Sequence, residues 1–238
     1  MEIKTAIILA GGFGTRLKTV VSDVPKPMAP VNGIPFLSYQ LNYLKHYGID
    51  NVILSVGYLH EKLISFYKNE FNGLKLNYVI EDEPLGTGGG IRKAMEQCKD
   101  EEVFALNGDS FFDINLTKFQ QYHEFKNSSF SLALRKLDNA SRYGCVQTER
   151  DNRIISFQEK SDMAEAGSIN AGVYILGRKL FLQHTPPNTK FSIEKDFFEK
   201  ELQVLPIYGF EFEAYFIDIG IPEDYAKAQH DFKGPKYN

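Results

Sequence analysis

Cysteine is scarce in this chain, and the scarcity narrows the classes open to it. Only Cys98 and Cys145 occur, far apart and without a CxxC pair. That argues against a disulfide scaffold or a cysteine-built zinc site and suits a reducing compartment. A surplus of one charge is missing too. The formal net charge is −4, so neither nucleic acid nor an anionic membrane is expected as a general partner. No apolar stretch approaches the ~20 residues of a membrane-spanning helix. Residues 7–10 are apolar, but glycines follow at once and no cleavage-site pattern appears, so no secretory signal is expected. Repeats, low-complexity tracts and linkers are also lacking. A soluble, cytoplasmic protein folded as a single domain over residues 1–238 is the expectation.

Hydrophobic residues make up 43% of the sequence, enough for an ordinary core. Through the first half, apolar runs alternate with amphipathic segments. Residues 3–9, 51–57, 74–80 and 102–108 read as strands, while 36–48, 60–67 and 89–98 carry apolar residues at helical spacing. Near-continuous apolar strands separated by helices predict a mostly parallel sheet, Rossmann-like, with helices on both faces. After Leu116 the pattern changes. "FSLALRKL", "GCVQTE", "RIISFQE" and "AGVYILG" are closely spaced strand candidates. They predict an added β-rich layer over the sheet edge. Residues 192–202 look helical, and a last helix begins at Pro222, proline being suited to a first turn.

Straight after the first strand comes "ILAGGFGTRL", residues 8–17. A dinucleotide fold asks for G-x-G-x-x-G, and here Leu17 occupies the final glycine position. A Walker A loop needs a lysine followed by Ser or Thr, which is absent. Glycines after a strand still expose backbone N–H groups of the kind that hold phosphate oxygens. Arg16 adds a planar cation able to grip two of them. A tight structural turn is the competing reading of the loop alone. Next, "DVPKPMAPV" sets Lys26 between two prolines, which stiffen its backbone.

"LAGGFGTRL…PKPM" is the signature of the sugar nucleotidyltransferases, also called nucleotide-sugar pyrophosphorylases, and the chain resembles that family along nearly its whole length. "EPLGTGGGI", "NGDSFFDI", "FQEK", "NAGVYI" and "DIGIPEDY" follow in the family's order. The wording resembles most the bacterial guanylyltransferases of D-glycero-α-D-manno-heptose 1-phosphate, with mannose 1-phosphate guanylyltransferases next. The resemblance implies attack of a sugar 1-phosphate on the α-phosphate of a nucleoside triphosphate, GTP being favoured, with loss of pyrophosphate. The attacking oxygen is already anionic, so positioning and charge neutralisation carry the reaction. No general base is needed.

Further roles follow from the resemblance. Leu9, Ala10, Gly11, Gly12, Gly14 and Thr15 would line the nucleotide, with Gly86 and Thr87 in the "LGT" loop. Arg16 would stabilise the departing pyrophosphate, and Lys26 would bridge the two reacting phosphates. Asp109 and Asp218 each end an apolar run, matching the family's Mg²⁺ ligands, and two acids suffice beside substrate phosphates. Glu159, Lys160 and Asn170 would bind the sugar, Glu159 and Asn170 at its hydroxyls and Lys160 at its phosphate, with Tyr143 and Gly144 shaping the pocket. The nucleotide-binding part would span about 1–115 and the sugar-binding part about 116–238. Glu81 occupies the family's base-reading position. A carboxylate can accept from both N1–H and N2–H of guanine, whereas uracil would oppose it with carbonyl oxygens. A turn in which Glu81 is merely solvated, or Glu83 as reader, are the alternatives.

Two departures mark this chain. No proline follows Leu17 as in many glucose-specific members, and no hexapeptide repeat is appended. A non-catalytic regulatory subunit shares the family's fold, but the set Arg16, Lys26, Asp109 and Asp218 argues against one. A glycosyltransferase would usually show a DxD motif, and "NGDSFFD" is not one. Assembly into a homo-oligomer is compatible with the sequence.

Overall fold

Apolar residues on both sides of a strand require cover on both sides, and the first half of the chain provides it. The computed structural model describes residues 2–12, 17, 21, 23–158 and 166–233. Thr5–Leu9 runs parallel to both Asn51–Val56 and Glu102–Asn107, and Asn51–Val56 runs parallel to Leu74–Ile80. Side chains alternate between two cores. Ala6, Ile8, Leu54 and Leu106 enter one, with Phe36 and Leu41 of helix Phe36–His46 and Phe119 of helix Leu116–Phe125. Ile7, Ile53 and Ala105 enter the other, with Ile91 and Met95 of helix Gly86–Gln97 and Phe181 of helix Arg178–His184. Each large side chain buried this way contributes about 1.5–3 kcal/mol.

The second half does not lie over the sheet as a separate layer. Its strands extend the same sheet, hydrogen-bonded edge to edge. Gly167–Gly177 pairs antiparallel with Glu102–Asn107, and Phe130–Leu137 pairs antiparallel with Gly167–Gly177. Ile207–Glu211 lies parallel to Phe130–Leu137, while Cys145–Thr148 and Ile154–Gln158 complete the far side. Among the described residues, ten strands form this one mixed sheet. The reason is the edge: strand Glu102–Asn107 would otherwise leave a row of backbone groups unpaired.

Residues 192–202, expected to be helical, form a π-helical turn Ile193–Phe198 followed by the short helix Glu199–Glu201. The last helix, Pro222–Asp231, begins where the proline indicated. Phe232 beyond it packs edge-on against Tyr39 (4.8 Å) and Phe111 (5.4 Å). That contact anchors the C-terminal helix to the core beside strand Ser110–Phe112. Among the described residues, no helix is long and apolar enough to cross a membrane.

Candidate active site

In an open α/β sheet, ligands bind beyond the carboxyl ends of the parallel strands. Here those ends are tied together by backbone hydrogen bonds. Ala10 N donates to Ser55 O (2.7 Å), and Gly108 N donates to Leu9 O (3.0 Å). Above them opens a cleft of about 250 Å³. Leu9, Gly11, Gly12, Lys26, Glu81, Gly86, Thr87 and Asp109 line it, while Ala10 lies buried beneath. Gly14, Thr15 and Arg16 lie outside the described residues, as do Glu159 and Lys160.

The charged centre of the cleft is Lys26. Its backbone forms the first residue of a tight 3₁₀ turn, Lys26–Met28, entered from Pro25 and continued by Pro27. The Lys26 side chain is only 11% exposed, and its Nζ sits 2.5 Å from Asp109 Oδ2 and 3.6 Å from Asp218 Oδ1. What joins the two acids is a small antiparallel ribbon. Phe216–Asp218 pairs with Ser110–Phe112 so that Asp218 faces Ser110, and Ile219 N donates to Asp109 O (2.9 Å). Asp218 Oδ1 also accepts from Gly220 N (2.7 Å). Burial, and then the neighbouring Asp109 carboxylate, push the Asp218 carboxyl above its ordinary range, while Lys26 draws it back. Two carboxylates and one ammonium leave a net negative site with room for a further cation. Among the described residues no third His, Cys, Asp or Glu completes a protein-only metal cage. The donor set therefore fits Mg²⁺, which keeps waters and takes substrate phosphates alongside one or two carboxylates.

Glu81 lines the same cleft. Its Oε1 accepts from Ser55 Oγ (2.7 Å) and its Oε2 from Leu85 N (2.9 Å). The carboxylate thus pins the loop 81–85 while still lining the cleft, and lone pairs remain on both oxygens for further donors. Gly86 follows with φ +71°, and a Cβ there would lie 2.6 Å from Phe191 O. Only glycine suits that conformation and that approach. Helix Gly86–Gln97 starts three residues earlier than the sequence pattern indicated, because the glycines at its start let segment 189–193 pack against them.

On the sugar side, the antiparallel pairing of Cys145 with Ile169 brings their neighbours Gly144 and Asn170 to the same end of that pairing, one on each strand. Asn170 begins an irregularity in strand Gly167–Gly177, where pairing with Phe130–Leu137 jumps between Asn170 and Tyr174. Such bulges re-aim side chains and recur beside active sites. Gly172 within it has φ +72°, and a Cβ would strike the Asn107 amide at 2.4 Å. The Asn170 amide is already engaged: Nδ2 donates to Tyr174 Oη (2.7 Å), and Oδ1 accepts from Gly172 N (3.1 Å). Tyr143 packs against Phe216 (6.0 Å), and burial, helped by Asp218, pushes its hydroxyl up to about 12.

Two polar groups of the site escaped the sequence reading. Asn107 lines the cleft beside Asp109, and its buried Oδ1 has no hydrogen-bond partner among the described residues, which makes it a candidate acceptor for a ligand. Its place in "NGD" was the available signal. Arg142 forms an ion pair with Asp224 (2.8 Å), and both border a second depression that also contains Tyr143 and Asp218. It directly precedes Tyr143-Gly144, but nothing in that position distinguished it from a surface arginine.

Known proteins resemble this chain along nearly its whole length. The family model described as "Nucleotidyl transferase" matches residues 5–234. A D-glycero-alpha-D-manno-heptose 1-phosphate guanylyltransferase of Aneurinibacillus thermoaerophilus is 48% identical over 96% of this chain and 98% of its own. Another of that name, from Campylobacter jejuni, is 44% identical over 92% and 96%. The crystal structure of HddC from Yersinia pseudotuberculosis superposes with a TM-score of 0.86 at 38% identity, covering 97% of this chain and all of that one. HddC has also been solved complexed with GMP-PN, at a TM-score of 0.84.

Proposed function

The chain belongs to the nucleotidyl transferase family, and we propose that it transfers the guanylyl group of GTP to D-glycero-α-D-manno-heptose 1-phosphate. The products are GDP-heptose and pyrophosphate. The observation that carries this reading is Lys26 held between Asp109 and Asp218 at the floor of a glycine-walled cleft. It is supported by near-full-length likeness to two proteins named for that activity.

In the reaction, a phosphate oxygen of the sugar 1-phosphate forms a bond to the α-phosphorus of GTP. The bond from that phosphorus to the β-phosphate bridging oxygen breaks, and pyrophosphate leaves with the electron pair. The main barrier is approach of two polyanions, so the protein supplies placement and positive charge. Lys26, stiffened by Pro25 and Pro27, offers its ammonium to both reacting phosphates once these enter. Asp109 and Asp218 would hold Mg²⁺, whose charge neutralises the triphosphate when it is bound. Glu81, anchored by Ser55 and Leu85, faces the base, and Thr87 and Gly86 border it. Arg16 is assigned to the departing pyrophosphate from sequence alone. Glu159, Lys160, Gly144 and Asn170 would serve the sugar, within a sugar-binding part spanning about 116–238. The cytoplasm, where GTP is at hand, is the compartment this reading requires.

A panel of sugar 1-phosphates against the four common nucleoside triphosphates, scored by pyrophosphate release, tests the proposal. Fastest release from GTP with the heptose 1-phosphate is expected. Release with UTP or dTTP in preference would overturn the guanylyl assignment, and no release from any pairing would favour a regulatory protein of this fold.

A further inference from the structure

A continuous run of hydrogen bonds leaves the nucleotide cleft and ends at the strand irregularity that carries Asn170. It starts where segment 191–194 lies against the "LGT" loop: Phe191 N donates to Leu85 O (3.0 Å), and Gly88 N donates to Phe191 O (3.0 Å). Ile193 N then donates to Thr87 Oγ1 (2.9 Å), and the Thr87 hydroxyl donates to Glu194 Oε2 (3.1 Å). From the other carboxylate oxygen the run continues. Glu194 Oε1 accepts from Tyr174 Oη (3.1 Å), which in turn accepts from Asn170 Nδ2 (2.7 Å). Asn170 Oδ1 finally takes the Gly172 N–H inside the irregularity.

The direction of every hydrogen in this run is fixed. A backbone amide and a side-chain amide feed protons in from the two ends, and only an acceptor can stand in the middle. Glu194 is that acceptor, and Ser192 Oγ gives it a third donor (2.8 Å). A neutral glutamine of the same shape would bring an N–H₂ against at least one donor. Tyr174 is fully buried, and burial together with the Glu194 charge keeps its hydroxyl protonated as a donor. Glu194 also sits in the π-helical turn Ile193–Phe198, a rare winding that recurs at functional sites.

We propose that Glu194 is a positioning residue coupling the nucleotide loop at Thr87 to the sugar-side strand at Asn170, so that each substrate strengthens binding of the other. The inference rests on the assignment of Thr87 to the nucleotide and Asn170 to the sugar. Nucleotide contact orders Thr87, Thr87 fixes one oxygen of Glu194, and the other oxygen holds Tyr174 and Asn170 in register. Reciprocity requires the same factor in both directions.

The test is calorimetric, with Mg²⁺ present. The affinity of heptose 1-phosphate is measured with and without guanosine 5′-(α,β-methylene)triphosphate, whose α–β link cannot break, in the wild type and in Tyr174→Phe and Glu194→Gln. The wild type is expected to bind the sugar phosphate about tenfold tighter when the analogue is present. Tyr174→Phe, which removes only the hydroxyl joining the two halves, should bring that factor near one while analogue affinity alone changes less than about twofold. Glu194→Gln should lose the coupling and also weaken the analogue. Coupling that persists in Tyr174→Phe overturns the inference, as does a turning-over wild type without coupling; should Glu194→Gln fail to fold, Tyr174→Phe alone decides. A wild type that binds neither ligand and releases no pyrophosphate would instead remove the functional assignment on which the inference stands.

Discussion

Replacing Lys26 by methionine keeps an unbranched side chain, one atom shorter, and removes its charge from between two carboxylates. With an effective dielectric near 20, unit charges 2.5 Å and 3.6 Å apart attract by about 7 and about 5 kcal/mol. Most of that is repaid as the cost of taking the ammonium out of water. Breaking a fully buried pair costs about 3–5 kcal/mol, but the Asp109 side chain is 41% exposed, so solvent screens part of the loss. A net destabilisation of about 1–3 kcal/mol remains, in the absence of divalent ions. For a chain of this size that lowers Tm by about 2–12 °C. Added Mg²⁺ should narrow the difference, because the two carboxylates freed of lysine gain more from a cation than those of the wild type. Turnover should not recover with it: losing one preorganised charge at a transferring phosphate costs on the order of 10²-fold or more. Differential scanning fluorimetry in EDTA and in MgCl₂, with kcat and KM from pyrophosphate release, measures both effects. A variant as stable as wild type in EDTA and turning over near the wild-type rate would refute the reasoning.

Asp109→Asn and Asp218→Asn should each remain folded and lose most turnover, with the wild type silent in EDTA; full activity in EDTA would remove both from metal binding. Glu81→Gln should erode the preference for GTP over UTP by about 1.5–3 kcal/mol, the worth of a charged hydrogen bond, measured as a ratio of kcat/KM values. Because Glu81 also pins Leu85 N and Ser55 Oγ, the same variant should show faster amide exchange in loop 81–85; an unchanged base preference would shift base reading to another residue. At alkaline pH, Tyr78 and Tyr143 should ionise near 12 rather than 10, since burial raises both. The native state then holds protons that the unfolded chain releases above pH ~10, so the stability these two contribute is complete below 10 and falls as pH rises toward 12. Absorbance titration at 295 nm beside urea unfolding checks it, and native ionisation of all tyrosines near 10 would contradict it.

Local sequence was sufficient wherever one element's own burial dictates its pattern. Thr5–Leu9, Asn51–Val56, Leu74–Ile80 and Glu102–Asn107 were legible because strands covered on both faces must be apolar throughout. The last helix was legible because Pro222 fits only its first turn. Helix Leu116–Phe125 and strand Ile207–Glu211 were not read. The helix buries only Leu116, Phe119 and His123, too narrow a stripe to stand out, and the strand exists because Phe130–Leu137 offers it an edge.

The site divides along the same line. That Asp109 and Asp218 end apolar runs, and that Lys26 stands between prolines, are properties of short segments. That the three groups meet depends on the register of Phe216–Asp218 against Ser110–Phe112, a pairing between distant parts of the chain that no local pattern encodes. Glu81 carries the same lesson: its charge was visible in "EDE", its anchoring by Ser55 was not, because Ser55 comes from the neighbouring parallel strand. Glu194 lay in a segment with a helical pattern and no motif. Its place at the meeting of Thr87, Ser192 and Tyr174 arises only when helix Gly86–Gln97 and strand Gly167–Gly177 pack on either side of it. Periodicity and short motifs record what each segment buries and which charges it carries; the convergence of those charges is fixed by strand register and helix packing, which are properties of the whole chain.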